Sequence, residues 1–214
     1  MSAARILLTA LGAYLLGGVP FSLLLGYLCG VDIRKHGSGN VGATNLARVC
    51  GKWLFFPAFF LDFAKGFCPV TFLAPPAASS DHATLAARVT LALAPVLGHV
   101  FSPFLRFRGG KGVATGAGAL AALVPVETAV TFGVWLLVLA FTRTVGVASA
   151  AASAFLPVVF FLLPGRSPAE RTVLGGALIG LGLLVLWRHR SNLAAYFCGR
   201  RKQTAAGSQE KERS

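Results

Sequence analysis

"TVGVASAAASAFLPVVFFLLPG", residues 144–165, carries no charged side chain from end to end. A helix needs about 20 consecutive apolar residues to cross the hydrocarbon core of a bilayer. A second long run, 120–140, contains one charged side chain, Glu127. Hydrophobic residues make up 55% of the chain and charged residues 13%, about half the charged share of a soluble domain. These features predict an integral membrane protein.

The apolar runs are continuous rather than alternating, which favours helices over a β-barrel. The sequence predicts an all-α integral membrane protein with about seven transmembrane helices. The predicted helices are 5–29, 53–74, 85–105, 112–125, 127–142, 145–163 and 171–188. The fourth and fifth are short, so one long helix broken near Pro125 is the alternative. The stretch 6–30 is too long for the apolar part of a signal peptide and predicts a retained first span.

The basic residues favour seven crossings over six. With the N-terminus outside, seven crossings put 15 of the 20 Lys and Arg residues on the inner side, as the positive-inside rule requires. The five exceptions are Arg5, Lys65, Arg88, Arg166 and Arg171. Six crossings would place the basic tail outside. We therefore predict a cytoplasmic C-terminus, one membrane-embedded domain over 1–198, and a basic, disordered cytoplasmic tail over 199–214.

The net charge of +13 indicates an anionic partner. In a membrane protein, basic loops that face anionic headgroups account for such a charge, so no nucleic acid is predicted. The four cysteines form no CxxC pair and no ligand cluster, and they indicate neither a metal site nor a disulfide framework. They are Cys29, Cys50, Cys68 and Cys198.

The first motif is "HGSGNVGATNLAR", residues 36–48. Its glycine spacing fits a dinucleotide-binding fingerprint, but a membrane helix precedes it where that fold needs a strand. Glycines let backbone N–H groups converge on an anion. Polar side chains add hydrogen bonds, and Arg48 adds a guanidinium suited to phosphate. The motif predicts a phosphate-binding loop; a plain interhelical turn with Gly and Asn caps is the alternative.

The second motif is "RFRGGKGVATG", residues 106–116. It is similar to an ATPase P-loop but has Gly112 where that motif has Ser or Thr after the lysine. What remains is Lys111, flanked by Gly110 and Gly112 at the start of a predicted helix. A helix N-terminus with a lysine favours phosphate. The alternative is a positive-inside anchor.

Four more polar residues stand out in apolar surroundings. His189 and Asn192, in "RHRSNL" (188–193), end the last span on the same face as both glycine motifs. His99 is either a packed histidine or a site residue. Asp62 lies three positions before Lys65, which favours a structural ion pair over a functional one.

Carboxylates are missing from both glycine motifs. Neither a Ser-His-Asp set nor an acidic cluster for Mg²⁺ is present in the sequence pattern. The predicted site is therefore basic and suits phosphorylated substrates, and its base is a histidine or a substrate phosphate.

"GSGNVGATNLAR", "DFAKG", "GHVFSPFLRFRGGKGVATG" and "RHRSNL" follow one another in the order found in one family. Over about residues 5–198 the chain resembles the bacterial acyl-phosphate:glycerol-3-phosphate acyltransferases of the PlsY type. The resemblance implies a seven-helix fold in the bacterial inner membrane. It implies transfer of a fatty acyl group from acyl phosphate to the 1-hydroxyl of glycerol 3-phosphate. Lysophosphatidic acid and phosphate would be formed in the first step of phospholipid synthesis, without cofactor or metal.

The resemblance also assigns roles. It implies catalytic roles for Ser38, Lys111 and His189. It implies substrate binding by Gly39, Asn40, Gly42, Thr44, Asn45, Arg48, Gly110, Gly112, Thr144 and Asn192. The family has Ser-Leu-Gly before the sixth helix, where this chain has Thr144-Val145-Gly146. The proton of the attacking hydroxyl goes to a phosphate oxygen of the donor or to His189. A transporter of a phosphorylated metabolite is the alternative function.

Overall fold

The structure is a computed structural model that describes residues 2–76 and 81–211, with only the backbone path for 200–211. These residues form nine α-helices and no strand, so the all-α prediction is confirmed. The helices are α1 (Ala3–Gly18), α2 (Phe21–Leu28), α3 (Ala43–Cys50), α4 (Phe55–Cys68), α5 (His82–Val100), α6 (Val113–Leu123), α7 (Pro125–Thr142), α8 (Val145–Leu162) and α9 (Pro168–Lys211).

Six stretches of the described chain are long and apolar enough to cross a membrane, and the first of them joins α1 to α2. They are Ala3–Leu28, Lys52–Leu73, His82–Leu105, Pro125–Thr142, Val145–Leu162 and Pro168–Gly199. α6 has 11 residues, which rise about 17 Å against a hydrocarbon core of about 30 Å. Seven crossings therefore stay a prediction that depends on α6.

α6 and α7 run in opposite directions. Lys111, just before α6, donates a hydrogen bond to Asn192. Gly146, just after α7, packs against the side chain of the same Asn192. The start of α6 and the end of α7 therefore lie close together, and the chain reverses its direction at Val124–Pro125. One long helix broken near Pro125 is wrong.

The bundle thus has two ends. The near end holds the loops 29–54, 101–112 and 143–144 and the segment 188–192; the far end holds the connections around 75, 124 and 163–167. Leu105 packs on a cluster that includes Ile33 and Leu46, which brings the first glycine motif to the near end. The prediction that both glycine motifs share one face is confirmed. Which end faces the cytoplasm stays a prediction.

Glycines bring two helix pairs into backbone contact. A Cβ on any of four glycines would overlap a carbonyl oxygen of the opposite helix. Such small-residue crossings are typical of helices packed in a membrane. They are Gly17 and Gly98 between α1 and α5, and Gly66 and Gly118 between α4 and α6.

Large apolar side chains cover the outside of the bundle. Phe141 is 86% exposed and Leu183 is 62% exposed, whereas Asp62 and Lys65 are buried. This distribution reverses that of a soluble protein and fits a surface covered by lipid.

Two helix boundaries differ from the prediction. The first span is interrupted at Val19–Pro20, because proline has no N–H to continue the helix. The last helix does not end at 188: α9 continues through His189 and Asn192, which lie on the helix and not beyond it. Apolar periodicity ends at Arg188, but helical backbone does not require it. The predicted disordered tail, 199–214, lies almost wholly where the structure describes no side chains, and its disorder stays a prediction.

Candidate active site

The first glycine motif is folded around the buried amide of Asn45, which is 1% exposed. Its Nδ2 donates to the carbonyl oxygens of Ile33 (2.8 Å) and His36 (3.1 Å). Its Oδ1 accepts from the backbone N–H of Ser38 at 2.8 Å and faces Arg48 Nη1 at 3.4 Å. These bonds use the hydrogen-bonding capacity of the amide. Asn45 therefore positions the loop, and its predicted role in substrate binding stays a prediction.

Two glycines of this motif are explained by backbone geometry. Gly37 and Gly39 have φ of 60° and 68°, in the left-handed region that favours glycine. A side chain on Gly37 would also overlap Asn45 Oδ1. Between them Ser38 is held out from the bundle and is exposed, as is Arg48.

The remaining residues of the motif surround the start of α3. Gly42 is its N-cap and provides no side-chain cap, so the N–H groups of the first turn lack that partner. Asn40 and Thr44 flank this turn and are half-buried. Their predicted substrate contacts, and that of Gly42, stay predictions.

The second glycine motif is held from two sides. The N–H groups of Gly109 and Gly110 donate to the carbonyl oxygens of Val100 (3.1 Å) and His99 (3.0 Å). From the opposite side, Arg188 Nη2 donates to the carbonyl oxygens of Gly109 (2.8 Å) and Gly110 (2.9 Å). The short loop before Lys111 is therefore fixed to both α5 and α9.

Lys111 stands at the start of α6. Its Nζ donates to Asn192 Oδ1 at 2.6 Å. Gly112, with φ of 78°, is the N-cap of α6 and adds no side-chain cap. Burial, reinforced by the positive charge of Arg188, holds the pKa of Lys111 below its ordinary value. The predicted combination of a lysine and a helix N-terminus is present in the structure.

The sequence did not predict a site role for Arg188, which was included only among the inner basic residues. In the structure Arg188 donates hydrogen bonds to two carbonyl oxygens of the glycine loop. Arg188 and Asn192 are four positions apart, on one face of α9. The four-residue spacing of Arg188 and Asn192, together with the glycine loop 109–112, was the signal in the sequence that could have indicated a role for Arg188.

His189 is buried, and its Nδ1 lies 2.8 Å from the carbonyl oxygen of Val185. A nitrogen that faces a carbonyl oxygen must carry the proton, so Nε2 is left as an acceptor in the neutral ring. This tautomer is the one that a base acting through Nε2 requires. His189 lies three positions before Asn192, on the same face of α9.

Thr144 lies at the N-terminus of α8. Its hydroxyl donates to the carbonyl oxygen of Thr142 at 2.9 Å. Two residues on, Gly146 has no room for a side chain because the Asn192 amide fills that space. The hydroxyl that Thr144 shares with serine is therefore used locally, and its predicted substrate contact stays a prediction.

The structure brings together Gly110, Lys111, Arg188 and Asn192, with Gly146 beside them. The Ser38–Arg48 loop shares the near end, but within 2–76 and 81–199 no hydrogen bond joins the two glycine motifs. In the same part of the chain no carboxylate pairs with Lys111, Arg188 or Arg48.

His, Cys, Asp and Glu side chains do not gather in groups of three among the described residues. Metal-free chemistry stays a prediction.

The fold and the site define an integral membrane protein with a cationic, glycine-rich cluster at one end of its helices. The chain belongs to the glycerol-3-phosphate acyltransferase family, whose model, "Glycerol-3-phosphate acyltransferase", matches residues 7–199. A glycerol-3-phosphate acyltransferase of Desulfotalea psychrophila is 39% identical over 190 residues, 89% of this chain and 93% of that protein. One of Rubrobacter xylanophilus is 42% identical over 196 residues, 91% and 92% of the two chains.

Two solved structures share the fold. They are crystal structures of PlsY (YgiH), an integral membrane glycerol 3-phosphate acyltransferase, in its glycerol 3-phosphate and lysophosphatidic acid forms. The first has a TM-score of 0.81 and 36% sequence identity, over 91% of this chain and 93% of that one. The second has a TM-score of 0.79 and 35% identity over the same shares. The predicted family is confirmed.

Proposed function

We propose that this protein transfers a fatty acyl group from acyl phosphate to the 1-hydroxyl of glycerol 3-phosphate at the cytoplasmic face of a bacterial inner membrane. Family membership makes the chain a glycerol-3-phosphate acyltransferase. The donor, the regiochemistry, the membrane and the residue roles are the proposal. One observation carries it: Lys111 stands at the N-terminus of α6, held by the neutral Asn192 and by no carboxylate among its described partners.

A phosphate dianion fits this arrangement electrostatically. The N-terminus of a helix carries about half a positive charge, and its free N–H groups point toward a bound anion. Lys111 adds a full charge next to them. Arg48 and the loop around Ser38 provide a second set of donors at the same end. The near end therefore offers donors for the two phosphate groups that the two substrates carry.

An acyl phosphate suits a site with this chemistry. The donor is a mixed anhydride, so its leaving group is already good and needs charge neutralisation more than covalent activation. The hydroxyl oxygen of glycerol 3-phosphate forms the new ester bond to the carbonyl carbon. The bond from that carbon to the phosphate oxygen breaks, and inorganic phosphate leaves toward Lys111 and the α6 N-terminus.

The proton of the attacking hydroxyl has two candidate acceptors. A phosphate oxygen of the donor takes it in a substrate-assisted route. His189 Nε2 takes it in the other, and the hydrogen bond from Nδ1 to Val185 supports this role by fixing the tautomer. Loss of His189 abolishes turnover only in the second route.

The decisive measurement is phosphate release by the purified protein from palmitoyl phosphate, with and without glycerol 3-phosphate. We expect release that requires glycerol 3-phosphate and that falls about 100-fold or more in Lys111→Ala and Ser38→Ala, because each removes donors to a developing charge. The matched control is Lys52→Ala, which removes an exposed near-end lysine outside the site and leaves release unchanged.

A different result would reverse the conclusion. Binding of glycerol 3-phosphate without phosphate release would exclude the acyl phosphate reaction. Uptake of labelled glycerol 3-phosphate into sealed vesicles would then be measured, because the transporter alternative predicts it.

A further inference from the structure

Three buried ionisable side chains lie outside the chemistry described above. Asp62, Lys65 and His99 are 2%, 3% and 7% exposed. Lys65 Nζ lies 2.7 Å from Asp62 Oδ1 and donates to the carbonyl oxygen of Val19 at 2.9 Å. Ionisable groups inside a membrane protein are costly, and they are usually paired or functional. The ion pair explains Asp62 and Lys65 but leaves His99 unexplained.

His99 joins this ion pair to the loop that carries Lys111. On one side of the ring, Nδ1 lies 3.7 Å from Asp62 Oδ1. On the other side, Nε2 occupies the space where a side chain on Gly110 would be. The carbonyl oxygen of His99 also accepts the N–H of Gly110 at 3.0 Å. Both the backbone and the ring of His99 therefore contact the residue that precedes Lys111.

The opposite side of the loop is bound to α9. Arg188 Nη2 lies 2.9 Å from the carbonyl oxygen of Gly110, so Gly110 is held between His99 and Arg188. Lys111 follows Gly110 directly in the chain and donates to Asn192, so the ammonium extends from the loop that His99 and Arg188 hold.

We propose that His99 is a positioning residue for acyl transfer: its ring, which lies between Asp62 and Gly110, sets the position of Lys111. Gly110 is a glycine because the ring of His99 takes the room of a side chain. This inference rests on the proposed function. His99 acts through Lys111 and does not contact the substrates. A misplacement of about 1 Å away from the reacting atoms can cost about 100-fold in rate.

The first test compares two amide replacements of His99. His99→Gln places its amide near the position of Nε2 and keeps the contact with Gly110. His99→Asn places its amide near Nδ1, keeps the contact with Asp62 and empties the space beside Gly110. We expect kcat/KM to stay within about fivefold of wild type for His99→Gln and to fall about 50-fold for His99→Asn, with equal thermal unfolding midpoints.

Two outcomes of this comparison overturn the proposal. Equal losses of kcat/KM in both variants would show that the side of the ring facing Gly110 is unimportant. Losses that follow the unfolding midpoints, or failure of both variants to fold, would assign the cluster to stability alone.

The second test is mutual suppression. Gly110→Ala adds a methyl group where the ring stands, and His99→Ala removes the ring. We expect each change to lower kcat/KM about 30-fold, and the double variant to be more active than Gly110→Ala alone because the two changes compensate. Losses that simply multiply would overturn the proposal.

Gly133→Ala is the matched control, because a side chain there meets nothing within 4 Å and Gly133 lies in α7, outside both glycine motifs. With wild type and Gly133→Ala active, a failure of suppression counts against His99 and not against the acyltransferase. Absence of activity in wild type itself would overturn both proposals.

Discussion

Arg166 at the far end of the bundle and Lys111 and Arg188 at the near end are held in different ways. Arg166 pairs with Glu127 and with Glu170 (3.3 Å). Lys111 donates to an amide and Arg188 to backbone carbonyls. The charge of Arg166 is therefore neutralised within the protein, and the charges of Lys111 and Arg188 stay available to a bound anion.

This difference separates structural from functional charge better than position in the sequence does. A guanidinium with two carboxylate partners has little attraction left for a ligand. A lysine held by a neutral amide is oriented without being neutralised, which is what a phosphate site needs. Arg166 and Lys111 are both basic, and it is the carboxylate or the amide beside each that distinguishes them.

The sharpest way to break the comparison is to give Lys111 a carboxylate partner. Asn192→Asp keeps an oxygen at hydrogen-bond distance from Lys111 and adds one negative charge. We expect kcat/KM to fall about 100-fold, because the new charge competes with the phosphate. Phosphate release at saturating palmitoyl phosphate measures the change.

The control places the same charge one position away. Ser191 is exposed, and as the neighbour of Asn192 on a helix it lies on a different face of α9. We expect kcat/KM of Ser191→Asp to stay within about threefold of wild type. Equal losses in the two variants would mean that the charge of the whole end matters and the pairing of Lys111 does not.

The pH dependence of kcat/KM is a second test of the availability of the Lys111 charge, with a smaller expected effect than Asn192→Asp. The pKa of Lys111 is lowered by burial and by the charge of Arg188, and the charged ammonium is the form that binds phosphate. Activity should therefore fall about tenfold for each pH unit above that lowered pKa, which lies below the ordinary pKa of lysine. A kcat/KM profile on the alkaline side measures it.

Lys111→Arg provides the control for this profile. A guanidinium stays protonated throughout the accessible range, so the alkaline decline should disappear or move to higher pH even if the maximum rate is lower. The same decline in Lys111→Arg would show that another group titrates.

The far end should give the smallest effect on activity. Glu127→Gln removes the buried charge that neutralises Arg166, which we expect to lower the free energy of unfolding by about 3 kcal/mol. kcat/KM should stay within about twofold of wild type. Thermal unfolding and phosphate release on the same preparation measure both quantities.

Glu170→Gln is the comparison for Glu127→Gln. The carboxylate of Glu170 is more exposed than that of Glu127, and its distance from Arg166 is longer. We expect a smaller loss of stability. A large loss of activity in Glu127→Gln would contradict the division of the molecule into a structural and a functional end.

Local patterns in the sequence predicted much of the fold and part of the site. The run 144–165 and its neighbours predicted the helices, because apolar length is a local property. The glycines around Ser38 and Lys111 predicted two loops that need glycine backbone freedom, because that freedom is local as well; anion binding by these loops stays a prediction. The reversal between α6 and α7 followed from the distribution of basic residues, and it is confirmed.

The rest depends on contacts between distant parts of the chain. Asn45 was predicted to bind substrate, and that its amide also bonds to Ile33, His36 and Ser38 was not foreseen. Arg188 was counted only among the inner basic residues, yet it binds a loop 78 positions away in the chain. Neither fact follows from composition or spacing, since both depend on how α5, α6 and α9 pack.

The glycine crossings have a consequence for motion. Because backbone meets backbone between α1 and α5 and between α4 and α6, a slide of either pair by one residue would bring a side chain into the contact. We therefore expect each pair to move as one rigid body. Any opening that admits an acyl chain from the bilayer would then lie between these two pairs or at the remaining helices, α2, α3, α7, α8 and α9.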